Sequence, residues 1–429
     1  MSIRSSLERA GLRVSLFVYI VKWSVLSAII GVSVGLMTVT FDLLTELVSE
    51  FFHFSIFKNS FGNFFFLVIP ILGGLMIGPL IDPIASEAAG GGSEAIIRSI
   101  HKAWSRVRYR APFVKLLASA ITLGSGGSAG KEGPSVQIGG GIGAIIADIF
   151  KMSSKDRRIM TVAGVAAGIG SIFKSPLGGA IFAAELPYMR DFETEAIIPA
   201  FLSSAIAYSV FSLFMGWQPI FFFPGYSFQN YSELIFFIIL GIICGLLGLL
   251  YIHLFELIKG IFSKIPLRLA FKPALGAVIV GIFGLFLPLS WGPGYEVIQM
   301  IMYGHLAIEL LPILAFAKMI TSSFTIGSGG SGGVIIPSLY IGAAIGGFLG
   351  FLTNNLFPTI VTEPWAFVIA GMGAFFAGVG KMPVSMIVMM SEMTGNYRLL
   401  IPLMISCGIS YAITGEKTIF EEQKRSKVG

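Results

Sequence analysis

The sequence predicts an all-α polytopic membrane protein built from two inverted-topology repeats of broken and tilted helices. Three observations carry this. Of 429 residues, 55% are hydrophobic and 12% charged, against roughly 25% charged in an ordinary soluble domain, too few to cover a water-facing surface. Apolar stretches recur along the chain, some long enough to cross a bilayer and others cut short by Gly, Pro or charge. The two halves of the chain also repeat one another. This composition excludes a soluble enzyme, a secreted disulfide scaffold, a nucleic-acid-binding domain and a disordered chain. The net charge of +6 comes from clusters between apolar segments, so it reports orientation and not a polyanionic partner such as nucleic acid.

Arg4, Arg9, Arg13 and Lys22 open the chain with no small-residue cleavage site after a short apolar core, which predicts a retained, cytoplasmic N-terminus. A hydrocarbon core of roughly 30 Å needs about 20 apolar residues per straight helix. Residues 14–36, 65–81 and 235–258 suit that role. Residues 115–127, 136–150, 162–173, 176–186 and 384–393 are shorter or interrupted. A helix that stops inside a membrane leaves backbone groups that hydrocarbon cannot satisfy, so these segments must line an aqueous path or bind something. Basic clusters at Arg98, Lys102, Arg106, Arg108 and Arg110, at Lys151, Lys155, Arg157 and Arg158, at Lys259, Lys264, Arg268 and Lys272, and at Lys424, Arg425 and Lys427 mark the cytoplasmic face. Both termini then lie there, with 417–429 a short cytoplasmic tail and no soluble regulatory domain attached.

GSGGSAGKEGPSVQIGGGIG at 124–143 aligns without gaps to GSGGSGGVIIPSLYIGAAIG at 327–346. Lys174, Pro176 and Glu185 match Lys381, Pro383 and Glu392; Pro199, Ser203 and Tyr208 match Pro402, Ser406 and Tyr411. Three blocks in one order make a tandem duplication, with transmembrane repeats near 15–220 and 230–416. Inversion of the second repeat is inferred by analogy with carriers that place their site at the repeat interface, at the ends of discontinuous helices.

Each glycine run ends in a proline, Pro134 or Pro337, that reads as a first helical turn. A helix start carries free N–H donors and about half a positive charge, and glycine lets a ligand approach. Two such starts converging would form an anion site; the competing reading is that the glycines serve close helix packing. Glu132 decides between them. It is a charge in the first turn of a short helix within a span, where insertion costs roughly 2.5–3.5 kcal/mol, and its repeat counterpart is Ile335. Its carboxylate can occupy the anion site of that helix start when ionised and leave when protonated; the plainer alternative is a helix cap. The GKE run lacks the spacing of a phosphate-binding loop, since Ser125 and Glu132 stand where Gly and Ser or Thr are needed. Glu185 and Glu392 read as acids of one shared structural role, such as accepting bonds from a neighbouring helix start. Cys244 and Cys407 read as buried hydrophobes. His53, His101, His253 and His305 have no metal-site spacing, so neither metal nor cofactor is expected.

GKEGP at 130–134, VQIGGGIG after it, GGVIIP at 332–337, KSPLGGAIFAAEL at 174–186 and SEMTGNY at 391–397 together resemble the CLC family of chloride channels and proton/chloride exchangers, in its prokaryotic form. The resemblance covers nearly the whole chain. It implies a homodimer with one anion pathway per subunit, Glu132 as the extracellular-side gate, and anion binding by backbone around Lys131 to Gly133 and Val334 to Ile336. The family's serine loop corresponds to Gly90, Gly91, Gly92 and Ser93, with Gly90 at the serine position and Ser93 the hydroxyl in another register. Its second hydroxyl corresponds to Phe420. The inner acid of the exchangers corresponds to Leu186, leaving Glu185 beside it as a possible inner proton path.

The expected function is transmembrane transport of chloride or a similar small anion across a lipid bilayer, in a prokaryotic plasma membrane, with or without proton counter-transport. Glu132 favours exchange and Leu186 favours a passive channel. An ion-driven organic-solute carrier would also use inverted repeats but needs cation sites that few intramembrane acids are available to build. A membrane scaffold leaves Glu132 unexplained.

Overall fold

The computed structural model describes residues 3–53, 62–102, 104–222 and 231–427, with side chains from residue 19 onward except that of His53, which lies outside the described residues. The side chains of Arg4, Arg9 and Arg13 therefore lie outside the described residues. Sixteen α-helices are described: α1 (Ile3–His53), α2 (Phe65–Ile81), α3 (Ser93–Lys102), α4 (Ala111–Gly124), α5 (Glu132–Ile149), α6 (Ser154–Ile172), α7 (Pro176–Glu185), α8 (Ile197–Met215), α9 (Leu234–Lys264), α10 (Lys272–Phe286), α11 (Tyr295–Met302), α12 (Leu310–Gly327), α13 (Ile335–Leu356), α14 (Trp365–Gly380), α15 (Pro383–Thr394) and α16 (Leu400–Ile413). Seven helical stretches among the described residues are long and apolar enough to cross a membrane, and the chain is an integral membrane protein.

Proline in the first turn opens α4, α7, α10 and α15, where its missing N–H costs no helix bond. Helices α5 and α6 are longer than their apolar runs predict. Glu132 and Pro134 fit the first turn of α5, and the Ser153 side chain accepts from the Asp156 N–H, so Lys155 to Arg158 form the opening of α6.

Eight helices fall in each repeat, and corresponding helices pack alike. Helix α1 lies on α8 as α9 lies on α16, and α5 on α6 as α13 on α14. Equivalent parts also touch each other: α2 packs on α10, α7 on α15, and Gly130 pairs antiparallel with Gly333. Contacts between equivalents lie on a pseudo-two-fold axis. The directions of α1 and α9 show the inversion. Lys22 of α1 pairs with Asp156 beside the second basic cluster, and Glu46, about 36 Å further along the helix, lines a cavity on the opposite face. Helix α9 instead ends on the basic face, where Lys259 pairs with Glu94 and Glu421.

Glycine lets α5 and α6 close on each other. A Cβ on Gly139 would sit 2.1 Å from the Gly164 carbonyl oxygen, and one on Gly342 would sit 2.2 Å from that of Gly371 in the α13–α14 pair. The basic clusters gather on one face through shared acids. Arg98 and Lys102 pair with Glu422, and Arg158 and Lys427 with Glu193. The C-terminal segment is a docked strap and not a free tail. Met189 donates to the Lys424 carbonyl, Lys424 to that of Pro187, and the Gln423 side chain donates to Leu186 and Gly380 at 3.1 and 3.2 Å.

Candidate functional site

The two glycine runs meet at the axis. Gly130 donates to the Gly333 carbonyl at 2.9 Å and Gly333 to that of Gly130 at 2.7 Å. Crossed hydrogen bonds repeat on either side: Ser128 N–H to Thr325 Oγ1 at 3.1 Å, and Ser331 N–H to Thr122 Oγ1 at 3.3 Å. These bonds hold the start of α5 beside the start of α13.

Glu132 is fully buried there. Its Oε1 accepts from the N–H groups of Ile335 at 2.5 Å and Ile336 at 3.0 Å. The sequence reading placed this carboxylate at its own helix start; it packs there against Gly130 and its own N–H and also reaches the start of α13, from the other repeat. The antiparallel crossing brings it there, and the first-turn amides of α13 have no carbonyl of their own helix to bond. Oε2 is buried without a hydrogen-bond partner among the described residues. The carboxylate also dictates glycine around it. A Cβ on Gly130 would lie 1.9 Å from Oε2, and one on Gly333 would lie 2.4 Å from Oε1.

A cavity lies on each side of this acid. On the basic face, about 250 Å³ is lined by Gly90, Gly91, Gly92, Arg98, Lys259, Val334 and Phe420 among others. On the opposite face, about 450 Å³ is lined by Glu46, Lys131, Gly294, Tyr295 and Glu296 among others. Glu132 lines neither, although its neighbour Lys131 faces one cavity and Val334, beside its donors, faces the other. Lys131 directs its side chain to Asp42 of α1 in an ion pair.

Residues 90–92 close the basic-face cavity against both repeats. The Gly90 carbonyl accepts from Gly332 at 3.2 Å, and a Cβ on Gly133 would meet the Gly91 oxygen at 1.9 Å. Ser93 does not line this cavity: it is the first residue of α3, buried beside the loop. Phe420 lines the cavity, and its ring meets that of Phe376 edge to face.

The duplicated acids form a reciprocal pair. Glu392 accepts from Ser175 Oγ and from the N–H groups of Leu177 and Gly178 at the start of α7, at 2.6, 3.2 and 2.8 Å. Glu185 accepts from Val384 and Ser385 at the start of α15, at 3.3 and 2.9 Å. Leu186 is buried, its carbonyl taken by Gln423.

Two lysines went unmarked in the sequence. Lys115 of α4 donates to the carbonyls of Ala88 and Gly90 at 3.0 and 2.6 Å. Lys318, its counterpart in α12, donates to Ser290 and Gly292 at 3.3 and 2.5 Å. Both are fully buried, and each braces a loop of one cavity. The signal that finds them is duplication: each stands at the same distance before its glycine run. Among the described residues no cluster of His, Cys, Asp or Glu is arranged to hold a metal ion. His101 bonds the Pro187 carbonyl, and both cysteines are buried and unpaired.

Comparison with known proteins agrees on one family. A family model described as "Voltage gated chloride channel" matches residues 73–415. The "H(+)/Cl(-) exchange transporter ClcA" of Vibrio cholerae serotype O1 (strain M66-2) is 34% identical over 398 residues, covering 89% of this chain and 84% of that protein. The protein of the same name from Vibrio parahaemolyticus serotype O3:K6 is 31% identical over 403 residues, with 89% and 84% covered. Two solved structures share the fold. A slow cyanobacterial Cl⁻/H⁺ antiporter superposes with a TM-score of 0.85 at 24% identity, covering 93% of this chain and 96% of that one. A CLC-type fluoride/proton antiporter superposes with a TM-score of 0.81 at 21% identity, covering 95% and 98%.

Proposed function

The chain belongs to the voltage-gated chloride channel (CLC) family, and we propose that it exchanges chloride for protons across a membrane, with Glu132 as the gate both ions share. One observation carries this reading: a buried carboxylate between two cavities, bonded through Oε1 to two first-turn amides and bare at Oε2. An ionised carboxylate at a helix start stands where a chloride would bind, because both are anions drawn to the same donors. Protonation neutralises it and weakens its hold on Ile335 and Ile336, which frees those donors for chloride. Chloride entry and proton uptake are thereby alternatives at one place, the elementary requirement for exchange.

The anion is held mainly by backbone, from Ile335, Ile336 and the glycines at 90–92, because Gly90 and Phe420 offer no hydroxyl. Weak discrimination among chloride, nitrate and bromide follows. The halves near 15–220 and 230–416 supply one helix start each, and Ile419 and Phe420 of the C-terminal segment line the basic-face cavity. The positive-inside rule puts the basic face and both termini in the cytoplasm of a prokaryotic plasma membrane, and the working unit is a homodimer with one path per subunit. The relatives named as exchangers support coupling. Leu186 favours a second reading, a passive channel, since an apolar side chain relays no proton; in the exchange reading Glu185 is the inner acid that takes its place.

The reversal potential of purified protein in liposomes under a chloride gradient, measured with and without an opposing pH gradient, separates the two. Exchange predicts a potential that shifts with the proton gradient, and a Glu132→Gln variant that keeps chloride flux while losing that shift. A potential that follows chloride alone leaves the passive channel.

A further inference from the structure

On the basic face, away from the ion path, a second cavity of about 290 Å³ lies between the α3–α4 connection, the start of α6 and the end of the strap. Lys155, Arg158 and Lys427 face Glu193 and Glu195 across it, which leaves one positive charge in excess. Glu193 is already shared by Arg158 and Lys427, and the Lys155–Glu195 pair is solvent-exposed, so neither cation is saturated by its acid. Ser154 and Lys155 stand in the first turn of α6, where backbone N–H groups have no helical acceptor; Ser153 satisfies that of Asp156. Independently of that helix start, Ser105 lines the cavity with a fully buried hydroxyl that has no partner among the described residues. Beside it Trp104 is 74% exposed, and both residues hold positive φ, 52° and 58°.

We propose that this cavity binds a phosphate group, through Lys155, Lys427, the Ser105 hydroxyl and the α6 amides. A phosphate oxygen accepts from several donors at once, which suits an excess cation and a spare hydroxyl. Trp104 and Tyr109 are exposed in the same connection as Arg106, Arg108 and Arg110. Exposed aromatic and basic residues where an apolar helix begins mark the headgroup level, so the phosphate has two sources: an anionic lipid headgroup or a free phosphate in solution. An occupant also bonds Lys427 and so steadies the strap that carries Phe420.

The test uses the full chain in phosphatidylcholine nanodiscs, reading tryptophan fluorescence as the difference between the protein and its Trp104→Phe variant. One arm replaces part of the lipid with phosphatidic acid; the other titrates inorganic phosphate. The expected result is a saturable change in the Trp104 signal in at least one arm, weakened about tenfold in the Lys155→Gln/Lys427→Gln protein by loss of two charge-assisted bonds. The single Ser105→Ala change, which leaves the strap pairs in place, weakens it less. A response to phosphatidic acid alone assigns the lipid, and a response to phosphate assigns the soluble group. No saturable change in either arm, or one that these variants leave unaltered, overturns the proposal.

Discussion

A cation buried among membrane helices without a carboxylate beside it costs a fold several kcal/mol unless other groups solvate it. Besides Lys381, which bonds the Tyr411 carbonyl and the Thr414 hydroxyl, this protein carries a duplicated pair, Lys115 and Lys318, and among the described residues neither of the two forms an ion pair. Each is solvated by two loop carbonyls, so each fixes a loop of one cavity and leaves positive charge near the anion route. Lys115→Met should therefore cost about 2–4 kcal/mol, because the Ala88 and Gly90 carbonyls lose their charged donor. It should also lower chloride flux about tenfold or more; both effects are read from detergent Tm and liposome efflux. Glu132 was legible in the sequence because it is a charge without a counterpart, in the first turn of a repeated motif. Its partners, Ile335 and Ile336, were legible only as a helix start, since no pattern along one chain says which helix a carboxylate crosses to. The lysines were hidden for the converse reason: their duplication lies outside the aligned glycine block, among neighbours that differ.

At the scale of elements, α7 and α15 are short helices whose starts would be orphaned, and each is capped by the acid that ends or nears the end of the other. Equivalent placement predicts costs of the same order. Glu392→Gln and Glu185→Gln should each lower Tm by a similar amount, about 1–2 kcal/mol in stability, since an amide oxygen still accepts but without charge. Glu392→Gln should leave the proton-to-chloride ratio untouched; a changed ratio in Glu185→Gln alone identifies it as the inner acid of the exchange reading. This reciprocity follows from the repeat, and the sequence supports a shared bond-accepting role for both acids without showing which starts they cap. Helix α2 was legible to its ends because it is apolar and carries no charge, in spite of Pro70 and Pro79 inside it. The extents of α5 and α6 were not, because their first turns hold charges and a proline that interrupt an apolar run yet suit a helix start. The short helices α3 and α11 were missed because neither has the length or uniform apolarity of a span.

At the scale of the whole molecule, the C-terminal strap has an acid sensitivity of its own, and its pH range tells it apart from the proposed gate. Beside the Lys259–Glu421 pair, three carboxylates at the strap are held low. The hydrogen bond from Lys102, helped by Arg98, holds Glu422 below the usual carboxylate range. Burial pushes Glu193 up, but Lys427 and Arg158 overcome it and hold it below that range. The backbone N–H groups of Lys427 and Phe192 hold Asp191 low. A carboxyl depressed in the folded state stabilises the docked strap fully above its unfolded value, about 4, and loses that contribution as pH falls through the lower folded value. Between pH 8 and pH 5 these carboxylates therefore stay ionised and the strap stays docked, so undocking of the strap accounts for no change of flux in that window. Hydrogen exchange of residues 417–427, corrected for intrinsic rate, should be flat across the window and rise only toward pH 4 and below. High salt should raise it at all pH values, because the Arg98 and Lys102 partners of Glu422 are exposed and screened. Exchange that rises in step with flux between pH 8 and pH 5 would move the proton sensor from Glu132 to the strap.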